Sequence, residues 1–246
     1  MANTQVSDNR HLRSDVNGAF TLDLPPRFPI PTHLALDLPN TRLSIRLQAT
    51  IENWNERFPS AGDVPEILAA VVTLTNTLNQ VRLCSVARAD MFLSRTFNPV
   101  LHRLLSLPRY PERVFPSETV KPEAAMREAV RLALLCVFAM LRRRFFIGAT
   151  VNDDYKNKLT SFLFHNQQLN WAPFLDLRLW VLVVAGIIND NNEIAFWNIA
   201  EIHSTMKKLQ ISGWDSVLTY VREFVWVDEL MEKASSPLGE FVSSFH

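Results

Sequence analysis

Glycine is scarce in this sequence, with six residues in 246, where average usage of about 7% would give roughly 17. Such a chain has little material for sheets with tight turns. It also lacks phosphate-cradling loops, because neither a dinucleotide fingerprint nor a P-loop can be built around Gly18, Gly62, Gly148, Gly186, Gly213 and Gly239. Cysteine is nearly absent. Cys84 and Cys136 are the only two, and each lies in an apolar helical pattern where a thiol behaves as a small hydrophobe, which implies a reducing, intracellular setting. Neither sign of charge is in excess: 25 basic residues face 25 acidic ones, so the chain has no overall positive field to draw in nucleic acid or acidic membranes. A bilayer-spanning run is missing as well. The apolar run Leu179 to Ile188 has Asp176 and Arg178 just before it and Asp190 just after it, whereas a spanning helix needs about 20 apolar residues. The polar opening MANTQVSDNRHLRSD has no core of the kind a secretion signal requires. The expected location is therefore cytosolic or nuclear, with no membrane partner.

What the sequence does have is helical periodicity. Residues 1–40 read as a flexible or extended arm, first polar and then punctuated by proline in LDLPPRFPIPTHLALDLP. Residues 41–246 read as a single all-α domain, a layered array of antiparallel helices. Leu43, Leu47, Ile51, Trp54 and Phe58 fall on one helical face ending at Pro59. The next helix opens at DVPE, with Asp63 as cap and Pro65 in the first turn. FNPVLHRLLSLPRYPERVFP suggests a short helix and an irregular connection. PEAAMREAVRLALLCVFAMLRRRFF starts on proline and ends on Arg142, Arg143 and Arg144, where cations complement a helix dipole. This helix and the one around Trp180 are apolar on nearly every face, so each must be surrounded by protein. A helix around Asp153 to Phe164 lies between them. In the segment that follows, Asp190 with Glu193 imitates a capping box and Gly213 is placed as the stop. WDSVLTYVREFVWVDELMEK reads as one last helix with Trp214, Val217, Leu218, Val221, Phe224 and Val225 on one side.

Chemistry is harder to find. The six histidines do not pair at helical spacing, and Glu201 and His203 face different ways, so no metal site is expected. DNNEIAFWNIAE resembles a calcium loop but fails at Ile194 and Ala195, where an oxygen ligand and a glycine are needed. Asp153 with Asp154, and Asp228 with Glu229, are carboxylate neighbours pointing about 100° apart on a helix. They read as a solvated first turn and a solvated face. His203 is a structural histidine or a pocket residue. The arginine triplet is a helix end or a phosphate or import patch, and the tryptophans, including Trp180, Trp197, Trp214 and Trp226, are core or the lining of a pocket between helices. No catalytic residue, metal or cofactor is assigned.

In order and spacing, HRLLSLPRYP, EAVRLALLCVFAML, LRLWVLVVAGIIND and AFWNIAEIHSTMKKLQISGWDSVLTYVREFVWVDELMEK resemble the fungal-specific transcription factor domain over roughly residues 40 to 235. The marks are Leu104 to Pro108, Glu128 to Ala133, Leu179 with Trp180, and the aromatic block from Trp214. The resemblance implies a nuclear regulatory domain that acts through protein partners or self-association, with a small-molecule effector as a further option and control of a specialised metabolite cluster as one setting. Such proteins carry a six-cysteine zinc cluster that reads DNA, and this sequence has no such run. The chain alone is therefore not expected to bind DNA specifically. The rival reading is an accessory protein or enzyme of a biosynthetic pathway with a cavity between helices.

Overall fold

The computed structural model describes residues 2–31, 42–80, 91–110, 121–144, 154–188 and 192–244, with the side chains of 2–10 and 192–195 left out. Among these residues the chain is all-helical, with ten α-helices and no strand. The helices are α1 (Ala2–Leu22), α2 (Ile45–Arg57), α3 (Asp63–Gln80), α4 (Asn98–Ser106), α5 (Pro122–Arg144), α6 (Asp154–His165), α7 (Leu175–Ile187), α8 (Asn192–Leu209), α9 (Trp214–Val221) and α10 (Lys233–Ser244).

Helix α7 is the axis of the molecule. Its residues from Leu177 to Ala185 are all buried, and α2, α5, α6, α8, α9 and α10 all pack against it. That is how a helix apolar on every face avoids water, and among the described residues no helix is long and apolar enough to cross a membrane. Trp180 is fully buried and its indole N–H donates to the Val225 carbonyl at 2.9 Å, so its one polar group is satisfied inside the core. Helix α5 is the second buried rod. Phe138 meets Phe97 edge-on at 4.9 Å, and Cys136 is enclosed so completely that burial pushes its thiol far up. Such a thiol is inert. Cys84 lies outside the described residues.

Local signals explain most boundaries. Ser44 caps α2 by accepting from the Leu47 N–H at 3.1 Å, and the helix buries Leu47 and Trp54. The Trp54 indole N–H reaches the Ala61 carbonyl at 2.8 Å, folding the chain back before α3. Arg46 ties α2 to the centre. It bonds Glu223 at 3.2 Å and Asp176 at 3.4 Å, and lies 3.7 Å over the Tyr220 ring. Arg178, the charge at the start of the α7 core, pairs with Glu201 of α8.

Three expectations need correction. The first concerns the N-terminal arm, since Ala2–Leu22 form a helix. Leu12, Val16, Ala19 and Phe20 supply a buried stripe at positions i, i+4, i+7 and i+8, and α1 packs on α4. Within residues 1–40, the described irregular, proline-punctuated part is 24–31. The second concerns Gly213, which does not stop α8. The stop is Gln210 in the left-handed region at φ 57°, with the Ile211 N–H returning to the Met206 carbonyl at 3.1 Å, while Gly213, φ 77°, begins α9. The third concerns the last helix, which breaks after Val221. Phe224, Val225, Trp226 and Val227 are then buried in succession, and a π-helical turn, Asp228–Glu232, leads into α10. The capping box at Asp190 and Glu193 lies outside the described residues and side chains.

Candidate functional site

Among the described residues, chemistry-bearing side chains come together in an open groove beside α4 and in a buried ionic cluster at the end of α1. The groove, about 450 Å³, runs between Pro29 and Ile30 on one side and α3 and α4 on the other, with Ile67 and Leu107 among its apolar lining and Asp63, Glu66, His102 and Arg103 among its polar lining. His102 and Ser106 raise the question of a nucleophile and base. The imidazole Nε2 lies 2.7 Å from the Phe28 carbonyl, so that nitrogen carries the proton. Nδ1 is left as the acceptor, but the Ser106 hydroxyl lies 3.5 Å from it and donates to the His102 carbonyl at 2.8 Å instead. A serine committed to its own helix backbone is not activated. His102 and Ser106 therefore do not form an activated pair in the groove.

The ionic cluster is built where α1 terminates. Asp23 adopts a left-handed conformation, φ 49°, and the Leu24 N–H closes back on the Ala19 carbonyl at 2.9 Å. This is the position helices usually give to glycine. The Asp23 side chain, 10% exposed, receives Arg131 Nη1 at 2.8 Å, Arg131 Nη2 at 3.3 Å and Lys158 Nζ at 3.0 Å. Arg109 Nη2 lies at 3.5 Å, and its Nε donates to the Asp23 carbonyl at 3.0 Å. Burial alone would raise the Asp23 carboxyl. The hydrogen bonds and charges of Arg131 and then Lys158 outweigh it and hold the group at about 2. Arg131 is 1% exposed and also grips Glu128, three residues earlier on α5, with contacts of 2.9 and 2.8 Å. Burial works against its charge, but the bonds to Glu128 and Asp23 raise it overall. Beside them Tyr155 donates its hydroxyl to the Phe20 carbonyl, and burial next to Asp23 pushes the phenol up.

The residues singled out in the sequence do not gather at either place. His203 bonds the Val242 carbonyl at 2.9 Å and tethers α10 to α8. Glu229 pairs with Arg144 at 2.9 Å, and the Asp228 N–H bonds Asn79. Asp153 lies outside the described residues, and Asp154 is an exposed first residue of α6. The arginine triplet is split. Arg142 is buried over the Phe20 ring with its Nη1 on Asn17 at 2.7 Å, while Arg144 turns to Glu229. Glu128 and Arg131, which the sequence marked only as part of a core motif, turn out to be the centre of the cluster. Among the described residues no three His, Cys, Asp or Glu side chains stand close enough to hold a metal.

A third feature lies on the outside. Phe164 at the end of α6 is 45% exposed and Phe196 near the start of α8 is 61% exposed. Trp197, next to Phe196, is partly buried and meets the Phe164 ring edge-on at 5.6 Å, with its indole nitrogen buried and without a hydrogen-bond partner. Compared with protein-family models, with curated proteins and with solved structures, the chain gives no match.

Proposed function

We propose that this chain is a regulatory helical domain that works by holding a protein partner, in the manner of the fungal-specific transcription factor domain it resembles, rather than by turning over a substrate. The observation that carries this reading is the aromatic face of Phe164, Phe196 and Trp197. Exposed aromatic rings, here Phe164 and Phe196, are among the side chains enriched in the cores of protein interfaces. The resemblance supplies the setting, a nuclear regulator, and the aromatic face supplies the means. The groove beside α4 supports a second reading, an accessory protein that binds a small molecule, because its polar and apolar lining suits a ligand while its serine and histidine do not form a catalytic pair.

The test is site-specific photo-crosslinking in the native cell. A photoreactive phenylalanine at position 196 is expected to give one discrete crosslinked species, whereas the same group at exposed Glu56 on α2 is expected to give none. Equal or absent crosslinking from both positions would remove the aromatic face as the contact.

A further inference from the structure

The basin under the end of α1 holds more positive charge than its resident carboxylate cancels. Arg109, Arg131 and Lys158 converge on Asp23, and the one other carboxylate bonded to these cations among the described residues is Glu128. Three cations against two carboxylates leave one positive charge in a partly desolvated site. Take Asp23 away and two remain, the charge of a phosphate monoester dianion. The donors have matching directions. Arg131 and Lys158 meet the carboxylate oxygens at 2.8 to 3.3 Å, and Arg109 Nε meets the carbonyl of the same residue at 3.0 Å. They therefore already surround more than one oxygen, as an oxyanion with several acceptors requires. Arg131 is the buried member at 1% exposure, while Lys158 at 41% and Arg109 at 26% reach solvent. The mutual repulsion is visible in Arg109, whose charge is disfavoured first by burial and then by Arg131.

We propose that this basin is a binding site for a phosphate monoester on a small molecule, and that Asp23 is a resident stand-in which such a ligand displaces. Position 23 has the backbone geometry that glycine serves best, so its aspartate is explained by what the side chain occupies. Displacement disturbs little else, because the stretch after Asp23 is held mainly by the Asp15 carboxylate on the Arg27 and Phe28 N–H groups, at 3.1 and 3.0 Å, and by His102 on the Phe28 carbonyl. The basin would make the domain responsive to a metabolite. This inference rests on the ionic cluster alone and is independent of the aromatic face.

The experiment is calorimetric titration of the full chain at constant ionic strength, with inorganic phosphate and separately with glycerol 2-phosphate. Wild type and Asp23→Gly are expected to bind both at one site, the variant about tenfold tighter because no resident competes, and Lys158→Ala added to Asp23→Gly is expected to abolish the signal. If Asp23→Gly fails to fold, Asp23→Asn, which keeps the left-handed backbone and removes the charge, takes its place with the same expectation. A folded variant that binds neither anion, or one that binds them no better than wild type does, would overturn the site. Binding of inorganic phosphate without the monoester would overturn the assignment to an esterified ligand.

Discussion

Trp180 and Asp23 show the two ways a single residue holds this fold. Trp180 fills the centre of the helical array and spends its indole N–H on the Val225 carbonyl. Trp180→Ala leaves both a cavity and a buried carbonyl without its donor, and is expected to cost about 3–5 kcal/mol. Urea denaturation followed by circular dichroism checks it, and a loss under about 1 kcal/mol would be incompatible with a core position. Asp23 acts through charge. Its carboxyl is held at about 2 against an ordinary value of 3.8, so the folded state binds its proton less readily than the unfolded state. The stability it supplies is complete above the unfolded value and is lost as pH falls through the interval down to about 2, amounting to about 2 kcal/mol for a shift of this size. Asp23→Asn is therefore expected to lower stability at neutral pH while making it less steep between pH 4 and pH 2, an interval set by the two carboxyl values. A denaturation series across that interval reads the slope directly. An unchanged slope would mean that Asp23 is not the group titrating there.

At the scale of the element, α8 ends against the usual preference. Its left-handed terminal residue is Gln210, where glycine adopts the same conformation without strain. Gln210→Gly is therefore expected to stabilise the protein by about 0.5–1 kcal/mol. Gly213→Ala, at φ 77°, is expected to act in the opposite direction by a similar or larger amount. Paired thermal melts give both signs, and a destabilising Gln210→Gly would show that its side chain contributes something the backbone argument omits. The same elements show what could be read in the sequence. Helices with unbroken apolar character or a clear stripe, such as α2, α5 and α7, were evident because periodicity alone places them. Helix α1 was not, since its stripe of Leu12, Val16, Ala19 and Phe20 is thin and set among polar residues, and its value comes from tertiary packing on α4. The break after Val221 was hidden for a different reason. Phe224, Val225, Trp226 and Val227 continue an apolar pattern, but their non-helical backbone is satisfied from afar. Trp180 reaches the Val225 carbonyl, and Asn79 reaches the Trp226 carbonyl and the Asp228 N–H. No local rule anticipates partners that distant. The ionic cluster was equally illegible, because Asp23 is brought to Arg131 across 108 positions of chain.

Taken as a whole, the described residues form an all-helical body packed around α7, the charges of the sequence cancel, and the arginine triplet is divided between separate partners. Specific DNA reading needs an element in a groove and a row of cations along the phosphates, whereas the cations that cluster among the described residues, Arg109, Arg131 and Lys158, converge on Asp23 and Glu128 at one point. Fluorescence anisotropy against a random duplex pool and inverted CGG repeats is therefore expected to show only weak, salt-sensitive association without sequence preference. Submicromolar, selective binding would refute that. The central claim is that the domain acts by holding a protein through its aromatic face, and native mass spectrometry of the chain purified from its own cells tests it most directly. Wild type is expected to appear as a stoichiometric complex with one partner or a second copy. The double variant Phe164→Ser/Phe196→Ser, folded to the same extent by circular dichroism, is expected to appear alone. A wild-type chain that is always a lone monomer, or a double variant that retains the same complex, would contradict the account.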